Sequence, residues 1–307
     1  MAFGLQTYDD GSRRESLLSI LKDVSPNTDN YFVTNLGTST PATNTLHEWV
    51  TYNTARPTSV TFVIEGADAS YADLTAPSRT NNVTAIVSEP IKVSKTEQAI
   101  STATGDDPFV FQKKQGLTRL KAKMEWATIN GTRASGSSGV ARGMTGFDGM
   151  ISTNVTGRAS GTSFTETELN DILQDSWNTV GSEYVADLIV CPMVIKRRIS
   201  GFTSNLTRNI NAVDKKLSAE IRVYDSQVGQ TVMVIPHKDV RSAAGTLTVY
   251  ALREDTYKHA FLKGRELEFQ NLAQSGDYDA GQYLSEFTLC AFAQGASAKR
   301  TGYNTGL

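Results

Sequence analysis

The chain has 307 residues, 39% hydrophobic and 20% charged, with 30 Lys+Arg against 32 Asp+Glu for a net charge of −2. That balance suits a globular protein with one large core or two modest ones. No apolar run approaches the ~20 residues of a membrane-spanning helix. The basic excess by which a dedicated nucleic-acid binder displaces counterions from phosphate is also missing.

The N-terminus, MAFGLQTYDDGSRRES, has acids where an export signal has a basic region and an apolar core. Folding in a cytoplasm is therefore expected. Cys191 and Cys290 lie in the apolar runs ADLIVC and EFTLCAF, which predicts small buried hydrophobes rather than a disulfide. Triplets such as Asn82-Val-Thr84 and Asn205-Leu-Thr207 read as chance matches to the glycosylation pattern in a Thr-rich chain.

Residues 1–45 are polar, with one short helical pattern at Ser16, Leu17, Leu18, Ile20 and Leu21. Phe32, Val33 and Leu36 form an extended apolar patch that ends at Gly37. Such a segment has no core of its own and reads as an arm that docks on something else. From Leu46 to Thr96 the runs LHEWVTY, SVTFVIE, NNVTAIVSE and IKVSKT are strand-like. With GADASYADLTAPSRT as the tip, they predict one long antiparallel hairpin that needs a neighbour.

Residues 106–130 carry the clearest helix, with Asp106 or Asp107 as cap and Pro108 in the first turn. Leu117, Leu120, Met124 and Ala127 make its apolar stripe, and Asn130-Gly131 ends it. Gly116, near the middle, weakens the pattern. Residues 132–162 read as Gly/Ser-rich loops or short strands. A second helix spans 166–180, with a Thr165/Glu168 capping box, a Phe164/Leu169 staple, and Leu169, Ile172, Leu173, Trp177 and Val180 buried; Gly181 closes it. ADLIVC predicts a strand covered on both faces. Pro192 starts a third helix, MVIKRRIS, which ends at Gly201. Residues 203–220 read as a surface excursion. IRVYDS, TVMVIP, TLTVYAL and EFTLCAFA are β-type runs, with Leu247, Val249 and Ala251 alternating against more polar partners. The first half thus reads as arm, hairpin and spine, and the second as a compact α/β unit.

Several stretches, in this order, resemble one family of tailed-bacteriophage major capsid proteins with the Hong Kong 97-type fold. They are VSPNTDNYFVTNLG (24–37), HEW (47–49), EGADA (65–69), RTNNVTAIVSE (79–89), VSKT (93–96), GDDPFVFQKK (105–114), LKAKMEWATING (120–131) and GMTGFDG (143–149). The likeness is densest over residues 24–150. It implies an α+β fold with an N-terminal arm at 1–45 and an extended β-hairpin loop at 46–96. A long spine helix with the first part of a peripheral domain and its sheet would fill 97–160. An α/β axial domain would take 161–255, and 256–307 would return to the peripheral domain. It also implies self-assembly into hexamers and pentamers of an icosahedral head enclosing double-stranded DNA. A portal protein would sit at one vertex, separate scaffold and cement proteins are possible, and packaged DNA would be met only by weak non-specific contact. The protein would reside in the virion, after assembly in the host cytoplasm, with no membrane partner.

The residues offer no catalytic, cofactor-binding or metal-ligating set. His47, His237 and His259 lie far apart without metal spacing; for His47, beside Glu48 and Trp49, the resemblance implies a structural role at the hairpin base. Cys191, at a strand-to-helix junction, lacks a nucleophile elbow and a positioned base. Gly136-Ser-Ser-Gly139 lacks the Gly-Lys-Ser/Thr ending of a phosphate loop. Asp9-Asp10, Asp106-Asp107 and Asp277/Asp279 lack calcium-loop spacing and read as turns and caps. Lys113, Lys114, Arg119, Lys121 and Lys123 form a basic helix face, read as pairing with a neighbouring subunit or as solvated in preference to facing DNA.

Three rival readings are a decoration or tail-tube subunit, a secreted adhesin, and an enzyme of unknown class; the long helices, the absent export signal and the absent nucleophile–base pair count against them in turn. Residues 1–45 and the tip at about 66–80 are expected to be mobile in an isolated subunit and ordered in a shell. The mature chain is expected to begin at or near Met1. Inter-subunit isopeptide bonds are not expected, because Pro57 to Ile91 contains no lysine and Arg79 is a poor nucleophile.

Overall fold

A computed structural model describes residues 29–54, 57–69, 71, 76–100, 107–202, 223–227, 229, 231–241 and 245–304. The helical pattern at 16–21, Asp9-Asp10, Asp106, the Asn205 triplet and the excursion at 203–220 lie outside the described residues.

The chain enters through a short helix, α1 (Tyr31–Asn35), then β1 (Leu46–Thr51), β2 (Ser78–Val83), β3 (Ala85–Ser94) and α2 (Lys95–Ala99). β1 and β2 pair antiparallel from Leu46↔Val83 to Thr51↔Ser78. This hairpin is shorter than the sequence pattern implied. SVTFVIE forms no strand; Val60, Phe62, Val63 and Ile64 stand exposed outside any helix or strand. β3 leaves the hairpin altogether, and IKVSKT splits between its end and α2. Phe32, Val33 and Leu36, expected to be extended, belong to α1 and its C-cap, and Phe32 and Leu36 are buried within their own chain.

The spine is α3 (Pro108–Asn130). The Asp107 carboxylate accepts from the amides of Phe109 and Val110, and Gly131 caps the other end. α3 lies across a sheet of β3, β11 (Tyr278–Ala291) and β10 (Leu267–Leu272), with β9 (Tyr257–Phe261) also paired to β11. Leu120 and Met124 bury against Ala85, Met144 and Phe287, while Leu117 and Ala127 are half-buried. Gly116 sits where helix and sheet come closest: a Cβ there would stand 2.6 Å from Ile91 Cδ1. The glycine that weakens the helical pattern is what lets the helix approach the strand.

The remaining elements build a six-stranded sheet. They are α4 (Phe147–Met150), β4 (Asn154–Thr162), α5 (Glu166–Val180), β5 (Leu188–Cys191), α6 (Met193–Gly201), β6 (Val223–Asp225), β7 (Thr231–Pro236), β8 (Leu247–Leu252) and β12 (Ala298–Tyr303). The strand order is β4-β12-β8-β5-β7-β6. α5 and α6 cover one face through Leu169, Ile172, Leu173, Ile195 and Ile199. The other face, carrying Leu188, Val190, Tyr250 and Leu252, meets α1, α4, the end of α3 and β11. β8 is therefore buried on both sides, and its alternation sorts residues between two cores rather than between core and solvent. EFTLCAFA belongs mainly to β11, in the other sheet. Trp177 is 46% exposed, and Ser176 holds the buried position next to it. The Thr165 hydroxyl caps α5 by accepting from the Glu168 amide, as the sequence predicts, but the Glu168 carboxylate is engaged by Arg158 and Tyr303.

Leu120→Ala and Met124→Ala should each cost roughly 2–5 kcal/mol, the usual range for truncating a packed core side chain. Lys123 is half-exposed and paired with Glu89, so Lys123→Ala should cost no more than about 1 kcal/mol. Urea melts of the three variants check the order; a larger loss for Lys123→Ala would place the helix stripe elsewhere.

Candidate assembly surfaces and the joints behind them

Four carboxylates connect elements that are distant in sequence. Glu125, on the spine and fully buried, accepts from the amides of Phe32 and Val33 at 2.8 Å each and pairs with His237 Nε2 at 3.0 Å. The Asp239 amide donates to His237 Nδ1 at 3.2 Å, so in the neutral ring the proton sits on Nε2 and points at Glu125. Desolvation alone would lower the His237 pKa. The Glu125 hydrogen bond, with the charges of Asp29, Glu125 and Asp239, outweighs it, and the pKa lies above the ordinary value.

Glu89 on β3 holds Arg119 and Lys123 of α3 at 2.6 Å each. Burial pushes its pKa up, but the two cations prevail and hold it below the usual range. The basic helix face thus closes largely within its own chain, a pairing that sequence reasoning missed because Glu89 lies 30 residues upstream of Arg119. Lys113 stands over the rings of Phe109 and Phe269, leaving Lys114 and Lys121 exposed. Glu286, buried on β11, takes Arg142 at 2.6 Å, Arg265 at 3.3 Å and the Thr84 hydroxyl at 2.9 Å. Glu168 completes the set with Arg158 and Tyr303.

The hairpin is anchored by two of its own residues. Trp49 Nε1 donates to the Ala291 carbonyl at 2.9 Å, and Asn82 Nδ2 donates to the Leu289 and Thr145 carbonyls. His47, half-buried, lies with its ring 6.0 Å from that of Trp49, and burial lowers its pKa. His259 is buried between β11 and the spine. Thr128 gives its only hydroxyl proton to the Met124 carbonyl and so accepts from His259 Nε2 at 3.0 Å. Burial holds this imidazole down to about 4.

Beyond the anchor the described residues include an uncovered apolar run. Phe62 is 92% exposed, Ile64 84% and Tyr71 96%, with Val60 and Val63 beside them. Isolated exposed hydrophobes are ordinary, but a contiguous run marks an interaction surface.

Other sequence features lie elsewhere. Cys191 and Cys290 are free, sit in different clusters, and have thiols pushed up to about 12 by burial. Gly136 and Gly139 close a turn bridged between Ser137 and Val140. Asp279 accepts from Gln274, and Asp277 offers its carbonyl to Lys95. Among the described residues no group of three or more His, Cys, Asp or Glu is placed to share a metal ion, and no helix is long and apolar enough to cross a membrane.

A family model described as SU10 major capsid protein matches residues 4–304. Among solved structures, the chain is similar to the capsid of cyanophage A-1(L) at 13% identity and TM-score 0.65, covering 97% of this chain and 99% of that one. It is also similar to the capsid of Myoviridae phage XM1, at 12% identity and TM-score 0.62 over 95% and 100%. The encapsulin of the holo-SrpI complex from Synechococcus elongatus PCC 7942 shares the fold at 12% identity and TM-score 0.59, over 96% and 94%. A comparison with curated proteins gives no match.

His259 carries a sign for acid stability. Its folded pKa, about 4, lies below the ordinary 6.5, so the unfolded chain takes up protons first. Stability from this site is full above pH 6.5 and falls between there and about 4, by up to ~3 kcal/mol. His237, shifted upward, has the opposite sign: its contribution is full below the ordinary value and is lost as pH rises through the folded one. Urea melts at pH 7 and 4.5 should show a smaller acid loss in His259→Gln than in the parent; equal losses would remove His259 from the account.

Proposed function

The chain belongs to the SU10 major capsid protein family, and from that premise we propose that this shell subunit assembles into hexamers and pentamers of an icosahedral phage head around double-stranded DNA. The observation that carries the reading is the pairing of a well-jointed core with an apolar run, Val60 to Ile64, that its own chain leaves exposed. Burying a Phe, Ile or Val side chain gains ~1.5–3 kcal/mol, which must exceed the ~1–2 kcal/mol of ordering each backbone residue. A neighbouring copy provides that burial, and closed symmetry repeats it at every contact.

In this reading residues 1–45 are the arm and the hairpin with its exposed apolar run is the extended loop, within 46–96. The α3 spine and the β3–β11–β10 sheet are peripheral. The six-stranded sheet is the axial unit, and it includes β4 from before residue 161 and β12 from after 255, so the domain limits of 161 and 255 shift outward in both directions. The subunit catalyses nothing; the buried, undissociated thiol of Cys191 supports that. Exposed Lys114 and Lys121 are placed to pair with a neighbouring subunit or to stay solvated, and packaged DNA is met only by weak, non-specific contact. A portal at one vertex and separate scaffold or cement proteins complete the head, and subunits fold in the host cytoplasm before joining the virion. The shell is non-covalent. Lys92 lies on β3 in the sheet, over the Tyr278 ring at 3.7 Å, rather than on the return strand of the hairpin, and Lys95 is in α2.

Size-exclusion chromatography and negative-stain microscopy should show rings or shells, and a clean monomer at micromolar concentration would refute the proposal. Phe62→Asp with Ile64→Asp should abolish assembly while shifting the subunit's own melt by less than ~0.5 kcal/mol. Particles boiled in detergent should run as one band near 33.3 kDa; a reductant-resistant ladder would overturn the non-covalent reading.

A further inference from the structure

The peripheral sheet is closed along most of its rim by its own chain. β3 forms one side, and it carries Pro90 in mid-strand, which has no amide hydrogen to offer a further strand. The other side of β11 holds β9 and then β10, since Phe287 pairs with both Ala85 and Phe261. The edge of β9 is strapped. The Ser39 amide donates to the His259 carbonyl at 2.8 Å, and the His259 amide donates to Gly37 at 2.9 Å. Ala42 donates to Phe261 at 2.8 Å and accepts from Lys263 at 2.9 Å. The strap pairs no further than Lys263, so β10 lies beyond it. Among the described residues only β11 pairs with β10.

This open edge lacks the usual safeguards. Its sequence, LEFQNL, has no proline or lysine and one charge, Glu268, and its end residues Leu267 and Leu272 are 49% and 41% exposed. Such an edge offers amides and carbonyls to a strand of matching chemistry. β10 matches itself. Antiparallel pairing of two copies about a twofold axis at Phe269 sets Glu268 opposite Gln270 of the second copy, and Leu267 opposite Asn271 of the second copy. Within one chain the Gln270 side-chain amide already donates to the Glu268 carboxylate at 3.2 Å; across the axis the same groups can serve each other. Like charges directly opposite would destabilise the pair, and here none meet. Leu267 falls diagonal to Phe269 of the second copy on the same face, within reach of its ring. A slip of two residues would instead set the Glu268 carboxylate against Leu272.

We infer that β10 is a contact between two copies of this chain, in which their edges join as one antiparallel sheet about a twofold axis at Phe269. The contact is isologous and closes on itself. The inference goes beyond the shell reading and rests on it only in that a shell brings copies together.

The test mixes full-length Glu268→Cys and Gln270→Cys subunits, separates particles from free subunits by sizing, and oxidises each fraction. Directly opposed residues lie about 5 Å apart between Cα atoms, within disulfide reach, whereas 268 to 268 and 270 to 270 are separated by roughly 8 Å. The expected result, mapped by peptide mass spectrometry, is a 268–270 link between chains roughly fivefold or more above either like-with-like link; buried Cys191 and Cys290 give the background. Equal yields, or no link in either fraction, would overturn the inference. A parallel mixture of Phe62→Cys with Gln270→Cys covers the rival occupant: a stronger 62–270 link would assign the edge to the exposed apolar run and overturn it too. Particles without the 268–270 link sink this inference alone, while the link without particles sinks the shell reading alone. In the unmutated chain, amides of residues 267–272 should exchange about tenfold more slowly in particles than in free subunits; equal rates would count against the pairing as well.

Discussion

The rest of the molecule depends on one buried carboxylate. Glu125 is carried by the spine, receives the first turn of the arm helix through two amides, and faces His237 at the end of β7. Three parts of the fold, distant in sequence, thus share one charge with no access to water. An isolated anion there would be prohibitive, so the arm, the spine and the strand end must arrive together. Losing any donor leaves the others facing an under-satisfied charge, which turns three separate contacts into one cooperative joint.

The same device recurs at Glu89, Glu286 and Glu168. Each carboxylate is largely buried on one element and takes cations or hydroxyls from others, although at Glu89 the cations themselves, Arg119 and Lys123, stay half-exposed. Buried ion pairs are weak evidence for raw stability. Their specificity lies in geometry, because a shifted register strands a charge. A shell subunit has a use for this property: its interior must keep one arrangement while its surfaces accept neighbours related by different symmetry axes. Packed, charge-jointed interiors deform by discrete steps rather than continuously.

The fold alone does not separate viral heads from other shells, since a cyanobacterial encapsulin and two phage capsids resemble this chain at 12–13% identity and comparable TM-scores. The family match, running from residue 4 to 304, makes that distinction. What this chain adds is local: a hairpin fastened by Trp49 and Asn82 to β11 and to the Thr145 carbonyl, beyond which the apolar side chains are left for a partner.

Elements governed by neighbours in sequence were legible without coordinates. The spine was visible from Asp107, Pro108 and Gly131, α5 from Thr165 and Gly181, and β5 from its unbroken apolar run, because caps and periodicity act within a few residues. SVTFVIE reads as a strand by propensity, yet strand formation needs a partner edge, and its own chain offers none. Phe32 and Leu36 read as an open patch because the Glu125 and Phe147 that receive them lie about a hundred residues away. Trp177 misled because helical periodicity places a side chain on a face without saying how far the core extends. The basic spine face looked free because its counter-charge, Glu89, arrives only when β3 packs under α3. The sequence by itself determined α3, α5 and β5 and where they stop, since those choices are made by local backbone sterics, capping and unbroken apolar runs. Only the tertiary structure decided which strands share a sheet, which charges meet, and which apolar residues stay uncovered, because burial and pairing are properties of surfaces that the chain brings together after its local elements exist.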